Sequence, residues 1–176
     1  MSGLPPAPPV LAERDVGEEP LRLQGDNAGR VSGQPFSNER YADLVADATL
    51  SLERGGDHDG YGLFVRQSSD DRYAAFVVSP LGAASILILD QAPLQLAGGQ
   101  IPDDVPFNRG LGARNRLSLV ACGPCLTAFV NGVSLTGAML DDRYTEGYAG
   151  ALLVPGGPGT EPAAAVEWFR MSSVLG

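Results

Sequence analysis

Several residue types are scarce in this chain, and each scarcity narrows its possible functions. The 176 residues include no Lys, so all 12 basic residues are Arg, and there are only one His, two Cys and one Trp. A chain of this length buries a core without a disulfide framework or a structural metal. The formal net charge is −9, and no basic cluster is visible. Phosphate binding needs such a cluster, so we expect no nucleic-acid partner.

Long apolar runs are also missing. No run reaches the ~18 residues expected of a membrane span, so we predict no span in this chain. The first residues lack the basic start and apolar core of a signal peptide. Two expectations stay open, a cytoplasmic protein or an extracytoplasmic one whose targeting segment lies outside this sequence.

Glycine and proline, in contrast, are abundant, with 23 Gly and 14 Pro. They lie between short apolar runs, as turn residues do, and no segment has helical periodicity over three turns. This spacing predicts an all-β protein. Residues 1–20 carry five of the prolines, which favours an extended linker or tether. We therefore predict a linker over 1–20 and one β-sandwich domain over 21–176.

The apolar patterns predict about ten strands. Apolar and polar residues alternate from Tyr41 to Glu53, as in a long strand with one wet face, whereas residues 61–67 are mostly large on both faces. Residues 72–79 and 84–89 continue as hairpins. A long polar connection over about 90–113 then predicts a crossing from one sheet to the other.

Residues 115–135 give the strongest local signal, three short strands joined by two tight turns. Alternation through Leu117, Leu119 and Ala121 resumes after Gly123-Pro124. A two-residue loop there would place Ala121 opposite Leu126. The second turn, Asn131-Gly132, is the sequence that a type I′ hairpin turn prefers.

These segments resemble the concanavalin A-like lectin/glucanase superfamily, and specifically its family-16-like, 3-keto-disaccharide hydrolase type of domain. The resemblance covers residues from about 40 to 174. The matching segments are Gly60–Arg66, Tyr73–Ser79, Asn115–Leu117, Phe129–Gly132 and Trp168–Met171. It implies a two-sheet antiparallel jelly-roll sandwich with a concave face able to hold a glycan. Many such domains are noncatalytic modules of larger surface proteins.

Cys122-Gly123-Pro124-Cys125 matches the C-x-x-C of thioredoxin-like enzymes. In those enzymes a helix follows the motif and activates its first thiol. Here a strand pattern follows, which argues against redox catalysis. The hairpin register instead makes Cys122 and Cys125 the pair that closes the loop, with Cα atoms about 5.5 Å apart, within disulfide range. We expect a disulfide in an oxidising compartment and two inert thiols otherwise.

Catalytic signatures are weak. The Glu-x-Asp-x-x-Glu of family-16 glucanases does not occur, and sugar hydrolysis commonly needs two such carboxylates. The carboxylates of the 41–53 strand are explained by a solvated face. The single His lies in Asp57-His58-Asp59, where a divalent cation such as Ca²⁺ could bind, although acidic turn residues usually satisfy the backbone. We otherwise expect no cofactor.

Four residues are candidates for ligand contact, because aromatic rings pack on sugars while Arg and carboxylates bind hydroxyls. They are Arg66, Arg72, Tyr73 and Trp168. Each is also explained by packing or a surface position.

Three functions follow as hypotheses. The first is a noncatalytic, lectin-like accessory domain that binds a glycan or a protein, displayed on its tether at the cell surface or as part of a secreted protein. The second is a keto-glycoside or glycoside hydrolase that uses Asp57, His58 or nearby acids. The third is a structural subunit of a larger assembly.

Overall fold

A computed structural model describes residues 10–14, 19–25, 29–157 and 159–174. These residues form strands and connections, and contain no helix that could cross a membrane. The thirteen strands are β1 (Val10–Arg14), β2 (Leu21–Gln24), β3 (Ser32–Pro35), β4 (Leu44–Arg54), β5 (Gly60–Ser69), β6 (Arg72–Val78), β7 (Ala83–Asp90), β8 (Ala92–Gln100), β9 (Asn115–Cys122), β10 (Cys125–Val130), β11 (Val133–Met139), β12 (Tyr148–Val154) and β13 (Ala163–Ser172).

The strands make two antiparallel sheets. The seven-stranded sheet has the order β1-β13-β4-β9-β10-β11, and β2 also pairs with β13. The six-stranded sheet has the order β3-β12-β5-β6-β7-β8. Apolar side chains from both sheets form one core between them. The predicted all-β, two-sheet antiparallel jelly-roll sandwich is confirmed.

The core follows from the period-two pattern. On β4, Leu44, Ala46, Ala48 and Leu50 are fully buried, whereas the residues between them are half-buried. The facing strands of the six-stranded sheet contribute Leu63, Phe76 and Ile86, among other residues. Alternation along a strand sends successive side chains to opposite faces, so each sheet gives one face to the core.

Both predicted hairpins are present, and the first has the predicted register. Cys125 pairs with Cys122 and Leu126 with Ala121, and the ladder continues to Val130 opposite Leu117. Gly123 has a φ of 56°, the positive value required at the first position of a type II′ turn. Asn131 and Gly132 have φ values of 48° and 84°, as a type I′ turn requires.

Two segments differ from the sequence prediction. The predicted polar connection over 90–113 contains β8, which pairs with β7 along its length, so the crossing between the sheets spans only 101–114. β8 is an edge strand whose residues are largely exposed. Because neither of its faces is fully buried, its sequence lacks the alternation of apolar and polar residues that predicts a strand. Residues 10–14, inside the predicted linker, form β1 and pair with β13. Residues 1–9 and 15–18 of that linker lie outside the described residues, and the division into linker and domain stays a prediction.

Candidate ligand-binding site

The outer face of the six-stranded sheet carries a second apolar cluster, separate from the core between the sheets. Its buried members are Phe64, Tyr73, Ala75, Val77 and Leu152. Large residues on both faces of residues 61–67 were visible in the sequence, and the structure explains them. One set of side chains faces the core, and the other set faces outward into this cluster.

Strand pairing brings these residues together from distant parts of the chain. Leu152 of β12 lies opposite Gly62 of β5, and Gly62 lies opposite Val77 of β6. One row along, Phe64 lies opposite Ala75. The rings of Phe64 and Tyr73 have centroids 6.0 Å apart and are tilted by 51°, a separation typical of favourable aromatic pairs.

A cavity of about 440 Å³ lies over this cluster. Its lining combines an apolar floor with polar groups of both charge signs. The lining residues are Arg30, Val31, Gly33, Phe64, Gln67, Asp70, Asp71, Tyr73, Leu89 and Leu152. Asp70 and Asp71 form the exposed turn between β5 and β6, and Gln67 is half-buried at the end of β5. We call this cavity the sheet cavity.

The electrostatics of the sheet cavity centre on Tyr73. Burial raises the pKa of Tyr73, and the negative charge of Asp71 raises it further. A tyrosine phenol is protonated at neutral pH and can donate a hydrogen bond, and the raised pKa extends this state to more alkaline solution. The apolar floor, hydroxyl, amide and carboxylates can together contact both the apolar and the polar parts of a small polyhydroxylated ligand.

The structure does not bring the four predicted ligand residues together. Tyr73 alone lines the sheet cavity. Arg72 pairs with Asp90 at 3.2 Å at the end of the six-stranded sheet. Trp168 lies on the seven-stranded sheet, with the guanidinium carbons of Arg116 and Arg170 at 5.5 Å and 5.6 Å from its ring centroid.

Arg66 is a buried structural anchor. Its side chain is only 2% exposed. It donates to the carbonyls of Ala42, Gly123 and Tyr144 at 2.9, 2.6 and 3.0 Å, and to Asp43 at 3.1 Å. Burial lowers the pKa of Arg66, and the adjacent Asp43 opposes that shift. These bonds occupy most of the guanidinium, although Arg66 borders a second cavity of about 420 Å³ beside Pro124.

The predicted Asp57-His58-Asp59 cation site is a turn in which Asp59 bonds the backbone. The buried carboxylate of Asp59 accepts the N–H groups of Gly56 and Gly156, each at 2.7 Å, and the hydroxyl of Thr160 at 3.2 Å. Within the described ranges, no group of three or more His, Cys, Asp and Glu side chains converges as a metal site. A cation at this turn stays a prediction.

The two cysteines are opposite one another, as the hairpin register requires, and both are exposed free thiols in this structure. The disulfide therefore stays a prediction. Cys125 also has a neighbour that the sequence pattern did not reveal, because its Sγ lies 3.5 Å from the Sδ of Met139 on β11.

The sequence did not identify most of the residues that line the sheet cavity, notably Phe64, Gln67, Asp70 and Asp71. The signal that could have identified them is the run of large residues on both faces of residues 61–67, since a strand with one solvated face carries large apolar residues on its other face only. The acidic turn after that strand was a second signal. What the sequence alone could not show is that β12 and the segment at Arg30 lie beside the same strands.

No protein-family model matches the chain, and a search of curated proteins found no match either. Solved structures do match. The chain is similar to the carbohydrate-binding module CBM66 from Bacillus subtilis, with 15% identity, a TM-score of 0.68, and coverage of 85% of this chain and 86% of that one. The likeness shows the fold. It does not establish an activity, because one fold can host many functions.

Two further solved structures contain a similar fold. The GH43 protein BlXynB from Bacillus licheniformis matches with 15% identity and a TM-score of 0.61, over 88% of this chain and 33% of that one. The alginate lyase A1-II′ of polysaccharide lyase family 7 matches with 9% identity and a TM-score of 0.62, over 89% and 81%. The chain thus spans about a third of BlXynB. The jelly-roll part of the predicted resemblance is confirmed.

Proposed function

We propose that this protein is a noncatalytic carbohydrate-binding domain, and that the sheet cavity holds its ligand. The observation that carries the proposal is the composition of this cavity, whose apolar floor of Phe64, Tyr73 and Leu152 lies beside Gln67 and Asp71. Its volume of about 440 Å³ falls within the range of about 300–1,000 Å³ that is usual for small-ligand sites. The shared fold of the carbohydrate-binding module from Bacillus subtilis supports it.

The arrangement of carboxylates favours binding over hydrolysis. Hydrolysis of a glycosidic bond by the common route needs two carboxyl groups that flank the bond. Asp70 and Asp71 are adjacent in one turn, so both approach a ligand from the same side. The relation to the 3-keto-disaccharide hydrolase type of domain is part of this proposal only as a shared scaffold. We further propose that the domain acts outside the cytoplasm, where glycans are displayed.

A glycan array followed by calorimetric titration with soluble oligosaccharides tests the proposal. The informative variants are Asp71→Asn and Gln67→Ala, which alter the rim and leave the floor intact. We expect each to weaken binding about tenfold, since one hydrogen bond to a charged or polar partner contributes about 1–2 kcal/mol. Asp104→Asn, an exposed acid in the 101–114 connection, is the matched control and should bind normally.

Two results would contradict the proposal. If no glycan on the array bound, the proposal that the ligand is a carbohydrate would be wrong. If Asp104→Asn weakened binding as much as the two rim variants do, the proposal that the ligand lies in the sheet cavity would be wrong. The hydrolase alternative makes a different prediction. It requires turnover of a glycoside that His58→Ala abolishes and that Asp71→Asn leaves intact.

A further inference from the structure

The outer face of the seven-stranded sheet carries three sulfur atoms in one row across three strands. Cys122 on β9 lies directly opposite Cys125 on β10, and Cys125 lies directly opposite Met139 on β11. Directly opposed residues point to the same face of a sheet. The Sγ of Cys125 and the Sδ of Met139 are 3.5 Å apart. Both cysteines are exposed, and Met139 is 65% exposed.

The turn that holds the two thiols is fixed by other elements. The carbonyl of Gly123 accepts a hydrogen bond of 2.6 Å from Arg66, and the N–H of Gly123 donates to Asp43 at 2.9 Å. The carbonyl of Pro124 accepts from the N–H of Leu140 at 2.7 Å. Leu140 directly follows Met139, so this bond also fixes the end of β11 beside the turn. The backbone positions that carry the three sulfur atoms are therefore fixed before any ligand arrives.

The chemistry of the row selects a soft cation. Soft thiolate and thioether ligands select Cu(I), Zn²⁺ or iron–sulfur clusters, whereas hard cations prefer oxygen. Structural zinc takes four ligands and iron–sulfur clusters are held by four cysteines, so two thiolates and one thioether favour Cu(I). Among the described residues, Met139 is the most exposed of the large hydrophobic side chains, so its sulfur is accessible to a ligand. Arg66 and Asp43 both bond to the backbone of Gly123, between the two cysteines. They also pair with each other at 3.1 Å, so this ion pair adds no net charge beside the row.

The geometry points to a Cu(I)-binding site formed by Cys122, Cys125 and Met139. On binding, each thiol releases its proton to solvent and forms one Cu–S bond. The Met139 sulfur donates a lone pair as the third ligand, and the copper keeps its oxidation state. The site needs both cysteines reduced, as they are in this structure, so it and the disulfide expected under oxidising conditions exclude each other. It lies on the sheet opposite to the sheet cavity and shares no residue with that cavity.

The test is an anaerobic titration of the reduced, full-length protein with Cu(I) in competition with a chromophoric Cu(I) chelator. We expect one copper per chain, and three sulfur ligands by X-ray absorption spectroscopy. Cys125→Ser should abolish transfer from the chelator. Met139→Leu keeps the apolar shape and removes the sulfur, so it should weaken binding at least tenfold and reduce the sulfur count to two.

Met171→Leu is the matched control, because Met171 is fully buried in β13 and the exchange of Met for Leu is usually well tolerated in a core. It should bind Cu(I) as the wild type does. Absence of transfer to the wild type would overturn the inference. So would unchanged affinity in Met139→Leu, or an equal loss in Met171→Leu, because either would leave the thioether without a role.

Discussion

At the scale of single residues, the polar side chains that stand out in the sequence mostly satisfy the backbone. The sequence makes Arg66 a candidate for ligand contact and Asp59 a candidate cation ligand. In the structure, Arg66 donates to three carbonyls, and Asp59 accepts two N–H groups. Buried backbone groups that lack a partner in the sheets need one elsewhere. A buried Arg or Asp near the end of a strand is therefore explained first by the backbone groups around it.

Replacement of Arg66 by Ala should destabilise the fold strongly. It leaves the carbonyls of Gly123 and Tyr144 without this donor, and we expect a loss of about 2–4 kcal/mol in the free energy of unfolding. Arg66→Lys should recover little of it, because an ammonium cannot reproduce the fork of the guanidinium. Arg72→Ala removes a more exposed ion pair with Asp90 and should cost less than about 1 kcal/mol. Urea denaturation of the three variants measures these differences, and equal losses in Arg66→Ala and Arg72→Ala would refute the anchor role.

Replacement of Asp59 by Ala should likewise cost about 1–3 kcal/mol, because the N–H groups of Gly56 and Gly156 lose a buried acceptor. Asp57 is exposed, and Asp57→Ala should change the free energy of unfolding by less than about 0.5 kcal/mol. Calorimetric titration with Ca²⁺, Zn²⁺ and Mn²⁺ separates this backbone role from a metal role. Metal-dependent heat that disappears in Asp57→Ala would show that the turn binds a cation.

At the scale of elements, local signals were sufficient for hairpins and insufficient for edge strands. The register from Leu117 to Val130 depends only on alternation and on a Gly-Pro loop, both of which lie within a few residues. β8 has no such signal, since an exposed edge strand carries no buried face. The row of three sulfur atoms was only partly predictable from local signals. The pairing of Cys122 with Cys125 was predictable from the loop, whereas Met139 joins the row only through the pairing of β10 with β11.

The oxidation state of the hairpin is open to a direct measurement. The register supports a disulfide between Cys122 and Cys125 in protein kept under oxidising conditions, because the usual Cα separation of directly opposed residues is within disulfide range. The closed loop is very short, so we expect the bond to raise the free energy of unfolding by less than about 2 kcal/mol. Thiol counting in native and denatured protein, before and after oxidation, measures the pairing. Two reactive thiols that persist after oxidation would exclude the disulfide, and Cys122→Ser supplies the one-thiol reference.

At the scale of the whole molecule, the jelly roll was predictable and the candidate site was not. Period-two patterns and regularly spaced turns indicate a sandwich wherever they occur. The sheet cavity depends instead on which strands become neighbours, since Phe64, Tyr73 and Leu152 come from three strands. Strand order is a non-local property, and alternation within one strand does not contain it. A sequence with apolar residues on both faces of a strand shows that a second face is covered, but it does not show by what.

The composition of the molecule makes its alkaline stability depend on tyrosine. There is no Lys, and the chain has five Tyr, so tyrosines are the main groups that titrate near pH 10. Burial raises the pKa of Tyr61 and of Tyr73, and it is also the largest cause of the raised pKa of Tyr41 and Tyr144. Above the ordinary pKa, the unfolded chain releases protons that the folded chain still holds. The folded state therefore loses stability as pH rises.

We expect the free energy of unfolding to stay level from pH 7 to pH 9 with respect to these tyrosines, and then to fall above about pH 10. Each buried tyrosine contributes a slope of about 1.4 kcal/mol per pH unit between its unfolded and folded pKa values. Tyr61→Phe removes one titration, while the Nδ2 of Asn115, which donates to Tyr61, still reaches the carbonyl of Asn108 at 2.8 Å. Urea denaturation at several pH values should show a shallower alkaline fall in Tyr61→Phe. If its slope equalled that of the wild type, the buried phenol of Tyr61 would not be coupled to folding.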